Sequence, residues 1–320
     1  MKKKSILITG ATCFIGYHLA TALHKGKYNV FASLSKKFNS YKGLPKIRLK
    51  LLKKLGIKFH LINLTNKQNV MNLIKETKPN YIFHLAADTT GLKNNTFSLE
   101  KSTVNNLKFI ENLYNSIEDR SNTKIIITSS NAEYKNIEGK VTENSSCQPP
   151  FNTYGLSKLS ATLRAIQIAE LRKIKTVIVR IFNPIGPYDS EHKLLPQVIK
   201  SLKEKKTIDL SPCKHKRDFI YIDRLIEGMI KTMKLLDNTD EDKIILNLCY
   251  GKPTEIKTLI KKIANSLDEN EDLLNFDVHQ LRSGEPFSNY GDNSSAVKKL
   301  KWDPGDILKD VSNWLKKEKI

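Results

Sequence analysis

The chain has 320 residues, 39% hydrophobic and 27% charged, enough apolar content to bury a full core as one large α/β unit or two lobes. Its four cysteines lack paired spacing, which argues against a metal cluster or a disulfide framework, and no apolar run approaches the ~20 residues of a membrane helix. The net charge of +21 comes mostly from lysines read as dispersed, with no basic segment interleaved with stacking aromatics, so neither nucleic acid nor a membrane is expected as partner; the opening Met1-Lys2-Lys3-Lys4 leads straight into a strand and reads as a cytoplasmic protein.

Continuously apolar runs at 4–9, 28–34, 58–64, 81–86, 124–129 and 176–182 read as strands buried on both faces, and the segments between them carry helix-period apolar positions. That alternation predicts an α/β fold with a doubly wound parallel sheet. After residue 183 shorter helices and Pro-bearing turns predict a smaller C-terminal α/β substrate lobe, with a further strand at 244–249 passing back into the sheet. The expected division is 1–182 with a return segment at about 217–249, against 183–216 and 250–320.

The first strand runs into Thr9-Gly10-Ala11-Thr12-Cys13-Phe14-Ile15-Gly16. Gly10 permits a tight bend and Gly16 a close helix-to-strand approach, leaving helix-start amides for a dinucleotide pyrophosphate. Cys13 narrows that turn. The second strand ends Leu34-Ser35-Lys36-Lys37 with no acidic residue; Ser35 and Lys36 suit a 2′-phosphate, so NADP(H) is favoured over NAD(H). Asn63 and Leu64 close the third strand, with Asn63 placed to hydrogen-bond an adenine. Leu85, Ala86 and Ala87 end the fourth with small residues against which a pyrophosphate and ribose can lie.

Ser130 closes the fifth strand, and Tyr154 and Lys158 follow 24 and 28 residues later on a helix expected over 154–171. Residues four apart share one helix face, where an ammonium near a phenol favours the phenolate and makes the tyrosine an acid or base. Ser130 can hydrogen-bond the same oxygen that Tyr154 protonates. The three form a candidate catalytic set for moving a proton while a hydride moves.

Together with Arg180-Ile-Phe-Asn183-Pro-Ile-Gly186-Pro187, Arg217-Asp218-Phe219-Ile220-Tyr221-Ile222-Asp223, and Arg282-Ser-Gly-Glu285 leading to Leu300-Lys301-Trp302-Asp303-Pro304, these motifs resemble the extended short-chain dehydrogenase/reductases that act on nucleotide-sugars. The resemblance spans residues 4–315. It implies a Rossmann domain binding NAD(P), a C-terminal lobe binding a nucleotide-sugar, and Asn183, Arg217 and Arg282 as contacts to the nucleotide diphosphate. Guanidinium forks match phosphate oxygens, which makes those roles physically reasonable. Asn131 and Lys193 are further candidate substrate contacts.

Asn131 and Ala132 follow Ser130 where the family's 4,6-dehydratases carry acids, and Lys193 stands where its epimerase-reductases place a catalytic histidine. Glu133, the one nearby carboxylate, is expected to point away. The remaining chemistry is hydride transfer at C4 by a 4-ketoreductase or 4-dehydrogenase of deoxysugar or surface-polysaccharide synthesis. A 4-epimerase with retained NAD and a non-catalytic NADP sensor are the alternatives. The family also implies a homodimer through a four-helix bundle built on helices 96–118 and 154–171, with Leu107, Phe109, Ile110, Leu113, Leu163, Ile166 and Leu171 as contact candidates.

Overall fold

The computed structural model describes residues 3–92, 96–118, 122–150, 152–281 and 284–318. The chain opens with β1 (Ser5–Thr9), turns at Gly10 into α1 (Phe14–Lys25), and continues through β2 (Asn29–Leu34), α2 (Gly43–Lys54), β3 (Lys58–Leu61), α3 (Lys67–Thr77), β4 (Tyr81–His84), α4 (Leu99–Asn115) and β5 (Lys124–Ser130). A 3₁₀ turn over Asn131–Glu133, β6 (Gly139–Val141), α5 (Thr153–Arg172) and β7 (Thr176–Ile181) follow. Local chemistry sets the helix starts. The side chains of Cys13, Asn66, Ser98 and Asn152 each accept a backbone N–H three residues on, capping α1, α3, α4 and α5.

Beyond β7 lie β8 (Pro184–Ile185), α6 (Leu194–Lys203), β9 (Ile208–Asp209), β10 (Lys216–Arg217), β11 (Ile220–Tyr221), α7 (Ile222–Asp237) and β12 (Lys243–Leu248). The chain then forms β13 (Thr254–Glu255), α8 (Ile256–Leu267), β14 (Leu274–Asn275), β15 (Ser288–Gly291), α9 (Ser294–Leu300) and α10 (Ile307–Lys317).

The central sheet has seven strands in the order β12-β7-β5-β4-β1-β2-β3. Pairing is parallel from β2 on β3 and β1 across to β5 on β7. These are the seven runs read as strands. β3 stops short of its predicted end because Asn63 Oδ1 accepts from Thr65 N–H and turns the chain. Strand order reverses at β1, which lies between β2 and β4, and the crevice beyond the carboxyl ends there is where such sheets bind ligands.

Two compact units result. The first comprises Met1–Lys135, Ser145–Ile181 and Ile226–Leu246; the second comprises Asn136–Asn144, Phe182–Leu225 and Asn247–Ile320. The return into the sheet unit is thus shorter than 217–249, and 136–144 forms a separate excursion. The first unit packs Leu7, Ile82, Ile125, Ile127 and Ile178 against Ile110, Leu113, Ala165 and Ile168 of α4 and α5. Ile110 and Leu113 therefore belong to the unit's own core rather than to a contact face, and Ile166 packs against that core. Leu163 and Leu171 do face outward, 55% and 75% exposed. At the amino ends of the central strands, opposite the crevice, Asp237 accepts hydrogen bonds from Lys4, Lys124 and Tyr81. The second unit's core packs α6, α8 and α10 through Leu195, Val198, Leu259, Ile263, Val311 and Leu315.

Candidate active site

Gly10 has φ of +77°, and a Cβ there would lie 2.9 Å from Ala86 N; a Cβ on Gly16 would lie 2.4 Å from Gly10 O. Main chain packs on main chain at this turn, and neither position admits a side chain. Beside it opens a cavity of about 420 Å³. It is lined by Gly10, Thr12, Cys13 and Ile15 from the turn, by Ser33, Ser35 and Tyr41, by Asn63 and Leu64, by Leu85, Ala86 and Ala87, and by Thr128, Ser129, Tyr154 and Lys158. With no side chain at Gly10 and set at a helix start, this cradle fits the pyrophosphate of a dinucleotide. Cys13 accepts from Gly16 N–H at 3.2 Å, so one helix-start amide is already engaged.

Twelve of the residues read as cofactor contacts line this cavity, and four do not. Thr9 and Phe14 are buried behind it, Gly16 acts as a spacer, and Lys36 sits on an exposed loop. Asn63 lines the cavity, but its Oδ1 is taken by Thr65 and only its amide N–H₂ remains to meet a base. Tyr41, Phe109 and Thr89 line it as well. Nothing in their spacing signalled this, because loops and helix faces bring them there.

Thr9 works indirectly. Its Oγ1 accepts from Ala86 N–H at 3.2 Å and shares a hydrogen bond of 2.8 Å with His84 Nδ1. Burial, reinforced by the nearby Lys158 charge, pulls His84 down to about 3 and keeps it neutral. His84 is therefore no proton donor at neutral pH; it holds the end of β4 against the turn.

Lys158 is buried and donates to the Thr128 carbonyl at 2.8 Å. Burial lowers its pKa, with the Glu133 and Cys13 charges opposing. Tyr154 is pushed up to about 12 by burial, then by the Glu133 charge, then by Cys13. Desolvation thus outweighs the lowering expected from Lys158, and the phenol is held as a protonated acid. Ser130 stands at the end of β5, its Oγ accepting from Ala132 N–H at 3.1 Å, and its neighbour Ser129 lines the cavity.

A polar network behind the site went unread in the sequence. Glu133 is fully buried, with Oε2 2.9 Å from Arg180 Nε, while Oε1 accepts from Thr162 at 2.6 Å and from Ser129. Its carboxylate is committed to these partners, and it offers no base to the cavity. Gly155 lets α5 approach this turn, since a Cβ there would lie 1.9 Å from Ala132 O. Asn131 opens the turn without lining the cavity.

In the second unit, Arg217 Nη2 pairs with Glu285 Oε2 at 2.9 Å and its Nη1 donates to the Pro286 carbonyl at 2.9 Å. Asn183 donates to the Asp218 carbonyl, and Lys193 pairs with Asp189 at 3.0 Å. Arg282 lies outside the described residues. Asp218, whose side chain accepts from the N–H groups of Tyr250, Gly251 and Gly291, is raised by burial to about 7 despite those three bonds.

The chain is similar along 97% of its length to the UDP-glucuronate 4-epimerase of Thermodesulfobacterium geofontis (strain OPF15), with 27% identity and 95% of that protein covered. It is 29% identical to the GDP-6-deoxy-D-talose 4-dehydrogenase of Aggregatibacter actinomycetemcomitans across 77% of this chain and 74% of that one. Among solved structures, UDP-glucuronic acid 4-epimerase from Bacillus cereus in complex with UDP-glucuronic acid and NAD superposes with a TM-score of 0.79, at 24% identity over 98% of this chain and 99% of that one. No described helix is long and apolar enough to cross a membrane. Residues 6–249 match the model of the NAD dependent epimerase/dehydratase family, and with the strand order and glycine turn already in place, the chain belongs to that family.

Proposed function

We propose that the chain is an NAD(P)-dependent oxidoreductase acting at C4 of a nucleotide-linked sugar, as a 4-ketoreductase or 4-dehydrogenase. The observation that carries this reading is one cavity shared by the Gly10 turn, the Leu85–Ala87 backbone, Tyr154 and Lys158. A nicotinamide bound there supplies or accepts the hydride. In the reductive direction Tyr154, a protonated phenol, gives its proton to the oxygen at C4; in the reverse direction it takes the proton back. Ser130, whose O–H makes only a 3.4 Å contact to Asn131 Oδ1, hydrogen-bonds the same oxygen. Lys158 binds the nicotinamide ribose and steadies the phenolate as it forms. Asn183, Arg217 and Arg282 hold the nucleotide diphosphate, and Asn131 and Lys193 are further substrate contacts.

NADP(H) is the favoured cofactor, because β2 ends without a carboxylate, Ser35 lines the cavity, and Lys36 follows it. Titration of the free protein should then give tighter binding of NADPH than of NADH, and Lys36→Ala should narrow the gap.

A second reading, 4-epimerisation with retained NAD, is favoured by the near full-length similarity to a UDP-glucuronate 4-epimerase. Incubation with UDP-, GDP-, CDP- and dTDP-linked sugars and their 4-keto forms separates the two. Stoichiometric use of reduced cofactor supports the first reading. Inversion at C4 without added cofactor replaces it with the second. In either case Tyr154→Phe should lower turnover by at least ~10²-fold while leaving cofactor affinity nearly unchanged.

A further inference from the structure

The cationic excess is not dispersed. Residues 1–75 contain 16 lysines and arginines and no aspartate or glutamate, so they carry +16 of the chain's +21, and the remaining 245 residues carry only +5. A composition merely rich in lysine would have spread its 33 acidic residues through this segment too. The segment forms β1, α1, β2, α2, β3 and α3, the sheet edge that ends at β3.

Its densest part is α2 with the loop before it. At 100° per residue, Lys46, Lys50, Lys53 and Lys54 of α2 fall within a sector of roughly 100°, and Lys42 stands just before the helix. Arg48, Leu49 and Leu52 occupy the opposite, buried side. Lys36 and Lys37 precede this face and Lys58 follows it, all exposed. Among the described residues none of these eight lysines forms an ion pair, whereas Lys4 on β1's side meets Asp237. Ile47 and Leu61, 46% and 60% exposed, add apolar side chains at the margin.

From this face we infer that α2 docks the protein peripherally on an anionic lipid bilayer. Clusters of four to eight lysines on an amphipathic helix are attracted to acidic headgroups, and exposed aliphatic side chains beside them can enter the headgroup layer. Lysine, a hydrated point charge, suits such diffuse attraction. Nucleic acid is disfavoured because the face offers no stacking aromatic: Phe38 is covered by Lys46 and Lys53, whose ammoniums lie 4.2 and 5.1 Å from its ring centroid. A second copy of the chain offers no surplus of negative charge to match. Lys50, Lys53 and Lys54 do not line the cavity, so the α2 part of the face lies apart from the cofactor site, and Lys36 is shared with the proposed 2′-phosphate contact.

The test is co-sedimentation of the full chain with phosphatidylcholine vesicles containing phosphatidylglycerol, at about 0.15 M salt. Binding is expected there and not with phosphatidylcholine alone. Lys50→Glu, Lys53→Glu and Lys54→Glu combined should weaken it at least ~100-fold, from a factor of about five per lysine. The control combination Lys298→Glu, Lys309→Glu and Lys316→Glu, equal in charge but placed in the second unit, should keep binding within a few-fold. Circular dichroism and NADPH titration of each variant verify that it is folded. No binding to the anionic vesicles would overturn the proposal, as would equal losses in both variants. Tighter binding to duplex DNA, lost in the same α2 variant, would replace it with a nucleic-acid surface.

Discussion

Glu133 Oε2 and Arg180 Nε meet at 2.9 Å with side chains 0% and 5% exposed, behind the wall from which Tyr154 faces the cavity. Removing one charge from such a pair leaves the other buried without compensation. Glu133→Gln should therefore lower unfolding free energy by about 3 kcal/mol, measured by denaturant titration. The Glu133 charge is also one reason the phenol is hard to ionise, so the variant's Tyr154 should titrate below its value of about 12. An ultraviolet titration against Tyr154→Phe reads that transition directly. A loss of stability with an unchanged tyrosine transition would limit Glu133 to a packing role.

Asp237 gives a pH dependence of definite sign. Burial tends to raise its pKa, but hydrogen bonds from Lys124, Tyr81 and Lys4 outweigh it and hold the carboxyl at about 2, below the ordinary 3.8. A depressed folded-state pKa means stability present above about pH 4 and lost as pH falls through about 2. Screened by solvent at this partly exposed carboxylate, the amount is about 1 kcal/mol. Asp237→Asn should lower stability at neutral pH by that order and flatten the acid limb between pH 4 and 2. Thermal melts of both proteins across this range provide the measurement.

Much of the site was legible because its logic is local. Gly10 and Gly16 mark a turn whose backbone admits no Cβ, and Tyr154 and Lys158 share a face by helical spacing alone. Most of the sheet strands were readable because both of their faces are largely buried, whereas edge strand β3 has no buried residue and was readable from its apolar positions alone. Glu133 was not readable, since its partners Arg180 and Thr162 come from β7 and α5, and only tertiary packing brings a loop carboxylate to them. Ile110 and Leu113 were read as contact-face residues because periodicity identifies an apolar stripe without saying what it packs against. The second unit's paired strands of two residues, such as β10 and β13, carry too few positions to show alternation.

Gly155 is predicted to be the least tolerant glycine of the site. A Cβ placed 1.9 Å from the Ala132 carbonyl must push the turn after Ser130 away from α5. Gly155→Ala should destabilise the protein by several kcal/mol or prevent its accumulation, despite alanine's higher helix propensity. An increase in melting temperature would contradict the close approach.

Assembly is the fourth exposed claim. Val104 on α4, with Leu156, Leu163 and Leu171 on α5, forms an outward apolar stripe, with Arg164 paired to Glu111 between the helices. A homodimer joining these helices in a four-helix bundle would cover that stripe. Sedimentation should give about twice 36.5 kDa, and Leu163→Glu with Leu171→Glu should return a folded monomer. A wild-type monomer at micromolar concentration would remove the idea.

The anchor of Lys158 has a consequence for how this site can vary. Its ammonium is fixed to the Thr128 carbonyl, a main-chain atom that every amino acid supplies. Drift at position 128 therefore cannot delete the anchor so long as the replacement fits a buried strand. The proposed ribose-binding lysine is insulated from mutation at its own partner, whereas the side-chain link from Thr9 to His84 is not. A deep mutational scan of both positions should find a broad set of small residues accepted at 128 and a narrow one at 9.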